Sequence, residues 1–525
     1  MLNKSKLDVI YFLVPVEDDG SLTREELLEL NKQPDQRPAR PRLPTAFTQT
    51  GVAGLASMFL LLALACIQRI AADVNRSIQV QQAVQPVLDE MAVKYNMSFS
   101  FGFVDRSVRA AAASGLNNIF RKTPLMPEML VPLGSVTKSW TAVMVMQAAE
   151  SGKLSLDDRA STWLDPVMSR LWSITMQQLW GAQVEEVRVR DLLGMTSGFH
   201  DYDDFFLEHF TLAFSADDAG PLIYIRSSAR QGFLCKPRTC ASYSGANYVL
   251  LGLVLVQVHG TWSWQDLPQL SVIPKQLFET GRYSHTSFLN LGRCSQYPGV
   301  AHQYTWQYWR NASSHQTFQD LFSNSCLNGW TMGNIASSAQ DLATFFFDLF
   351  TLPKEKGGFL RNASLLEMQK MKRLSDDWCL GPTGYGSCSY GMGLLTDQVG
   401  QDVWPMQDPS ADPKEARVMG HPGEDWGSGC SPCGYNQKYD FGICIAYTSV
   451  VGMNCSGDFR ENYGAVQEAT CRAYDAVLAI VGAPRLNCTV PSLVGAPESK
   501  TCSWERNPNH GPPPEAPLVS RALVV

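Results

Sequence analysis

Phe99, Phe101 and Phe103 alternate with Ser98, Ser100 and Gly102, the period-two pattern of a half-buried β-strand. Ahead of them Val84, Val87, Leu88 and Met91 recur at helical spacing between residues 80 and 91, which predicts an amphipathic helix. The run after Ser135 is apolar at most positions and reads as a buried helix that stops at Gly152, a residue suited to a helix C-cap. Phe345 to Leu349, following Asp341, predicts another helix, and Phe441 to Tyr447 predicts an apolar strand. A strand near the start, a long helical middle and strands after Gly420 imply an α+β fold, with a sheet made from both chain ends and a helical lobe beside it. No internal repeat is present.

Length and charge narrow the class. A chain of 525 residues can bury a substantial core, and one large two-lobed domain over 80–488 accounts for the periodic part. Residues 1–48 form a polar, proline-spotted tail, and 489–525 are proline-rich without periodicity, which predicts disorder. Apolar residues make up 45% and charged residues 18%, ordinary for a globular protein. With 43 Lys and Arg against 50 Asp and Glu the net charge is −7, so no basic surface suggests nucleic acid as a partner. The chain has no G-x-x-x-x-G-K-[ST], G-x-G-x-x-G, H-E-x-x-H or G-x-S-x-G motif. Phosphate cradles, zincin sites and the hydrolase elbow are unsupported, and no cofactor is expected.

The N-terminal pattern sets an expectation about compartment. Gly51 to Ile67 is apolar and uncharged, at the short limit for a membrane span, with Arg37, Arg40 and Arg42 before it. Residues 49–68 are therefore expected to act as a signal anchor, giving a single-pass type II membrane protein with its domain on the lumenal or extracellular side. The alternative is a signal segment cut at Ala63-Leu64-Ala65, giving a secreted protein. Six N-x-[ST] acceptors follow this stretch, at Asn75, Asn96, Asn311, Asn362, Asn454 and Asn487, and several together fit a glycosylated exterior face. Of 14 cysteines, nine lie between Cys379 and Cys502, a density that suggests disulfides in an oxidising compartment. Cys235 and Cys240 could close a short loop. Cys430 and Cys433 could begin a zinc site, but no second C-x-x-C or paired histidines follow, so no metal is expected.

The candidate chemistry starts at Ser135 and Lys138. At i and i+3 they share a helix face, near a helix start whose dipole favours developing negative charge. A serine hydroxyl needs a base to become a nucleophile, and a lysine shielded from water can lose its proton and serve as one. Alone the pair also reads as polar decoration of an ordinary helix. It has company: Leu192 to Phe199; Tyr243-Ser244-Gly245-Ala246-Asn247; Gly333-Asn334-Ile335-Ala336-Ser337-Ser338 with Asp341; Tyr390 to Leu394; and Gly420-His421-Pro422-Gly423.

In order and spacing these motifs resemble the serine beta-lactamase-related family, which includes class C beta-lactamases, D-Ala-D-Ala carboxypeptidases, related esterases and animal beta-lactamase-like proteins with an N-terminal membrane or signal segment. The resemblance covers about residues 85 to 485 and implies a transpeptidase-like fold. It implies Ser135 as the acylated nucleophile, Lys138 as its base or electrostatic partner and Tyr243 as proton shuttle. His421-Pro422-Gly423 would be the strand edge beside the nucleophile, with the backbone N–H groups of Ser135 and Glu424 as oxyanion donors. Three departures stand out: Gly245 occupies a position often held by an asparagine that orients substrate or the lysine, leaving Asn247, two further on, as the shifted candidate for that substrate-site amide; His421 replaces a lysine; and Pro422 removes a hydroxyl and an N–H. Together they argue against an efficient penicillin-destroying enzyme. The expected function is a serine hydrolase or acyltransferase acting on a small-molecule or peptide ester or amide. A catalytically silent member with a binding or assembly role is the alternative, and the sequence leaves the oligomeric state open.

Overall fold

The computed structural model describes residues 73–202, 207, 217–306, 318–374, 389–396, 417–448, 459–486 and 488. The proposed membrane or signal segment, the two tails, and Asn311, Asn454 and Asn487 lie outside the described residues. No described helix is long and apolar enough to cross a membrane.

Helix α1 spans 73–95 and stops at Asn96, which takes a left-handed φ of 48°, a C-terminal stop that asparagine tolerates better than most residues. Strands β1 (Ser98–Val104) and β2 (Arg109–Ser114) follow. The helical lobe includes α2 (Thr137–Glu150), α3 (Ala160–Trp172), α4 (Pro221–Gln231) and α5 (Gly245–His259). Strand β3 (Ile335–Ser337) leads into α6 (Ala339–Thr351). The chain then returns to the sheet through β4 (Met419–Gly420), β5 (Gly423–Asp425), β6 (Ser428–Asn436) and β7 (Phe441–Thr448), and ends in α7 (Phe459–Val481).

The main sheet is antiparallel, ordered β4-β6-β7-β1-β2, with β5 also paired to β6. Phe99, Phe101 and Phe103 of β1 lie opposite Tyr447, Ile445 and Ile443 of β7, so first and last thirds of the chain share one sheet, as the hydrophobic pattern implies. Strand β1 departs from the expected half-burial: all seven residues are buried. Its phenylalanines pack with Val80, Val84, Leu88 and Met91 of α1 and with Ala473, Tyr474 and Val477 of α7. Its other face lies under α6, where a Cβ on Gly102 would sit 2.3 Å from the Ala339 backbone. The small residues of the alternation mark close helix approach rather than solvent.

Helix α2 is buried on nearly every side. Trp140 stacks on Phe345 of α6 at 3.9 Å between ring centroids, joining sheet and lobe through a contact worth about 0.5–1.5 kcal/mol beyond its buried area. The helix ends at Glu150, and Gly152 follows with φ 70°, at the predicted stop. Asn75, Asn96 and Asn362 are exposed.

Four disulfides are formed among the described residues: Cys235–Cys240, Cys294–Cys326, Cys433–Cys444 and Cys471–Cys488. The short loop at Cys235 and two of the expected bridges in the last third are therefore present. A bulge between Cys430 and Cys433 shifts the β6–β7 register and turns both residues toward one side. Cys430 is a buried free thiol whose Sγ lies within 4.8 Å of the Cys433 and Cys444 sulfurs. The second pair of sulfurs is bonded as a disulfide, which replaces the zinc reading of this C-x-x-C.

Candidate active site

Ser135 lies two residues ahead of α2, half-buried, where the chain turns from β-structure into the helix. Lys138, in the first turn of α2, is 2% exposed. Its Nζ is 2.8 Å from Ser135 Oγ and donates to the Met332 carbonyl at 3.2 Å. Tyr243 precedes α5, and its Oη lies 2.9 Å from the same Ser135 Oγ. The Lys138 ammonium position is 5.0 Å from the Tyr243 ring centre and 6.0 Å from that of Tyr248. One hydroxyl oxygen thus meets two groups able to carry its proton, each at hydrogen-bond distance.

The other motifs hold these three groups. Leu192 to Phe199 supports the approach to Tyr243: Ser242 N–H donates to Met195 O at 3.0 Å, and Tyr248 Oη donates to Leu193 O at 2.8 Å. Met195 itself takes φ 56° to make that turn. Tyr390 to Leu394 packs on α2, where Ser139 Oγ donates to Gly393 O at 2.5 Å. Asp341 belongs to the start of α6: its N–H donates to the N-cap Ser338 Oγ at 3.1 Å, and its carboxylate accepts from the His285 N–H at 2.8 Å.

Strand β5 runs against the nucleophile. A Cβ placed on Gly134 would lie 1.8 Å from Glu424 O, and one on Gly423 would lie 1.8 Å from Leu133 O and 2.8 Å from Val136 N. Only glycine allows backbone to approach this closely, so the two glycines set the Glu424 backbone beside Ser135. The Glu424 side chain is exposed. Asn247 is elsewhere: it is fully buried in α5, accepts from Ser197 Oγ at 2.7 Å and bonds Met195 Sδ at 3.4 Å. At Gly245, a Cβ would meet Met332 Sδ at 2.5 Å, Tyr202 Cε1 at 2.9 Å and Asp201 Oδ1 at 3.4 Å. Asp201 Oδ1 accepts the Gly245 N–H at 2.7 Å. The place of a side chain two residues after the tyrosine is taken by residues from other segments.

His421 is fully buried. Its Nδ1 is 2.5 Å from Pro422 O, an acceptor only, so Nδ1 carries the proton. Nε2 lies 3.1 Å from Tyr390 Oη. Burial, and then the charge of Lys138, push the imidazolium down to about 3, which keeps the ring neutral at physiological pH. It supplies no fixed positive charge for a substrate carboxylate. Because its folded pKa lies below the unfolded value near 6.5, His421 favours the fold fully above that value and loses this contribution as pH falls toward 3. Between pH 7 and pH 4 the wild type should lose up to about 3 kcal/mol more stability than His421→Gln, read from denaturant melts at both pH values. Equal losses in the two proteins would refute the buried neutral ring.

Sequence reasoning overlooked a set of threonines. Thr137 Oγ1 donates to Gly134 O at 2.6 Å and accepts the Ile335 N–H at 3.0 Å. Thr141 Oγ1 donates to Thr331 O at 2.6 Å, and Thr331 Oγ1 donates to Tyr248 O at 2.9 Å. They stitch α2 and α5 to the turn whose Met332 carbonyl holds Lys138. Their i, i+4 spacing on α2 beside Lys138 was the available signal.

A buried lysine and a tyrosine converge on one serine, in a two-lobed α+β fold of the beta-lactamase and penicillin-binding-protein type with a backbone strand beside that serine. The chain belongs to the beta-lactamase family, whose model matches residues 101–454. It is 26% identical over 171 residues to penicillin-binding protein 4* of Bacillus subtilis (strain 168); the match covers 32% of this chain and 34% of that protein's length. Among solved structures it is similar to the D-amino acid amidase from Ochrobactrum anthropi SV3 complexed with D-phenylalanine, with a TM-score of 0.56 and 19% identity over 76% of this chain and 99% of that one. It is also similar to a D-stereospecific amidohydrolase from Streptomyces sp., with a TM-score of 0.53 and 20% identity over 75% of this chain and 98% of that one. At these identities the structural likeness concerns the fold.

Proposed function

We propose that the protein is an acyl-transferring serine hydrolase acting through an ester on Ser135, with a small-molecule or peptide ester or amide as substrate. The observation that carries this reading is the approach of Lys138 Nζ and Tyr243 Oη to Ser135 Oγ at 2.8 and 2.9 Å. In the first step Lys138, as the free amine, takes the Ser135 proton while Oγ attacks the substrate carbonyl carbon. The carbonyl oxygen gains the negative charge and is met by the backbone N–H groups of Ser135 and Glu424; such donors are typically worth about 3–4 kcal/mol each. Tyr243 delivers a proton to the leaving alcohol or amine as the carbon–heteroatom bond breaks. Water, or an acceptor alcohol or amine, then attacks the acyl ester and gives its proton back through the same pair, freeing Ser135.

The neutral His421 and the hydroxyl-free Pro422 favour acyl donors recognised without a carboxylate anchor. The amidases among the fold neighbours fit an acyl donor of amino-acid size, a point of analogy only. A fluorophosphonate should form a single adduct, mapped by peptide mass spectrometry to Ser135. Well-folded protein that gives no adduct with several such probes would instead support the silent, binding-type alternative.

We further propose that the domain faces the lumen or the exterior, anchored through residues 49–68 or released by cleavage near Ala65. Six glycan acceptors and the cysteine load support this. Endoglycosidase treatment of the protein from animal cells should lower its apparent mass; an unchanged mass together with full digestion by cytosol-side protease would reverse the topology.

A further inference from the structure

Strand β5 has three residues, registered on β6 as Gly423 with Cys430, Glu424 with Gly429 and Asp425 with Ser428. Its other side meets the nucleophile segment with no side chain between, because Gly134 and Gly423 leave no room for a Cβ. A strand this short has few ladder bonds to fix it, so the contacts at its end decide how close the Glu424 N–H stands to Ser135. Those contacts gather on Asp425. Asn328 Nδ2 donates to Asp425 Oδ1 at 2.5 Å, and the Trp426 N–H donates to the same oxygen at 2.7 Å. The Gln303 amide lies close enough to the carboxyl to favour its ionised form. Gln303 Nε2 donates in turn to Ser428 Oγ at 2.8 Å, and Ser428 Oγ donates to Pro132 O at 2.5 Å.

Asn328 belongs to the turn that serves the base. Gly329, with φ 63°, follows it, then the one-turn helix Trp330–Met332, and Met332 O accepts from Lys138 Nζ. The Asn328 backbone lies beside that turn, since a Cβ on Gly333 would come 2.9 Å from Asn328 O. One carboxylate therefore ties together the strand with the oxyanion donor and the turn with the lysine's acceptor.

We propose that Asp425 is a positioning residue of the acyl-transfer site, its ionised carboxylate gripping Asn328 so that strand β5 and the Lys138 turn keep one spacing around Ser135. This rests on the acyl-transfer reading above. A carboxylate accepts several donors at once, whereas its protonated form gives up part of that capacity. Burial lifts the Asp425 carboxyl to about 6 against the pull of the Trp426 N–H and the Asn328 and Gln303 amides, so the ionised form prevails at neutral pH and is lost in mild acid. The groups facing it are neutral: the Asn328 and Gln303 amides and the Trp426 N–H. Titratable side chains on the elements around it are Glu424 beside it on β5, the Cys430 thiol opposite Gly423, Tyr447 against Gly429, Tyr304, whose backbone lies against Gly427, and the His302–Asp320 pair beside Gln303.

The test is the second-order rate of fluorophosphonate labelling of Ser135 in the full chain from pH 5 to 9, with melting recorded for each variant. Wild type should show an acid limb with a midpoint near 6. Asp425→Asn should lower the alkaline plateau about tenfold or more and remove that limb, because the amide does not titrate. Asn328→Ala should lower the plateau and move the limb to higher pH, because the carboxylate loses a donor. An Asp425→Asn protein that keeps the limb, or a plateau within about twofold of wild type, overturns the inference while leaving the acyl-transfer reading intact. If Asp425→Asn does not fold, an unmoved limb in Asn328→Ala overturns it equally. Absence of labelling in wild type overturns the acyl-transfer reading and this inference with it.

Discussion

Ser135→Ala is expected to eliminate covalent labelling by fluorophosphonates and activated esters while the protein still melts cooperatively. The side chain is half-buried at a helix start, where alanine is tolerated at modest cost, and the bonds lost are those to Lys138 and Tyr243. Lys138→Ala should slow labelling by roughly 100-fold or more, the usual scale for a positioned acid or base. It also leaves the buried Met332 carbonyl without its lysine donor, so the melting temperature should fall by several degrees. Tyr243→Phe should harm turnover more than the first labelling event, because an activated ester has a leaving group that needs little proton donation. An adduct that forms equally fast in Lys138→Ala would leave the nucleophile assigned and the base misassigned.

Gly134→Ala should be nearly as damaging without touching any group that reacts. Its φ of 54° lies in the left-handed region, which costs an alanine about 1–2 kcal/mol. The new methyl would also enter the Glu424 backbone, 1.8 Å from its carbonyl oxygen, and overpacking typically adds about 1–3 kcal/mol. The strand must then move away from Ser135, taking an oxyanion donor with it, and labelling should fall by about 100-fold or more. Gly152→Ala separates the two causes. Its φ is 70°, but no atom lies within 4 Å of the added Cβ, so it should cost about 1 kcal/mol in stability and leave labelling at the wild-type rate. Comparable labelling in Gly134→Ala and Gly152→Ala would show that the close backbone approach is not what places the strand.

Much of this architecture was legible because the residues that betray it carry their meaning locally. The phenylalanine alternation at 99–103, the buried helix after Ser135 and its stop at Gly152 each follow from backbone and packing rules that act over a few residues. The motif order located Ser135, Lys138, Tyr243 and the glycine strand, since close backbone approach demands glycine wherever it occurs. The remainder depends on partners distant in sequence. Nothing near His421 announces that Tyr390, 31 residues earlier, will meet its ring and that burial will keep it neutral. Asn247 stood near the place of a substrate-facing amide, yet Ser197, fifty residues earlier, takes it into the lobe. The burial of both faces of β1 depends on α6 and α7, more than 200 residues downstream, which no period-two count can see.

The pairing of β1 with β7 also governs when the molecule can form. Phe101 and Ile445 are partners about 340 residues apart, so a ribosome adding about 5–20 residues per second needs tens of seconds to supply the second strand after the first. Throughout that interval β1 lacks its β7 partner, and its phenylalanine face has α1 but not yet α7 against it. The helical lobe emerges as an incomplete body whose apolar flank must be shielded by chaperones or by provisional contacts. The arrangement that sets Ser135 between two lobes thereby makes the sheet a late event, closed only once the last third of the chain has been reached.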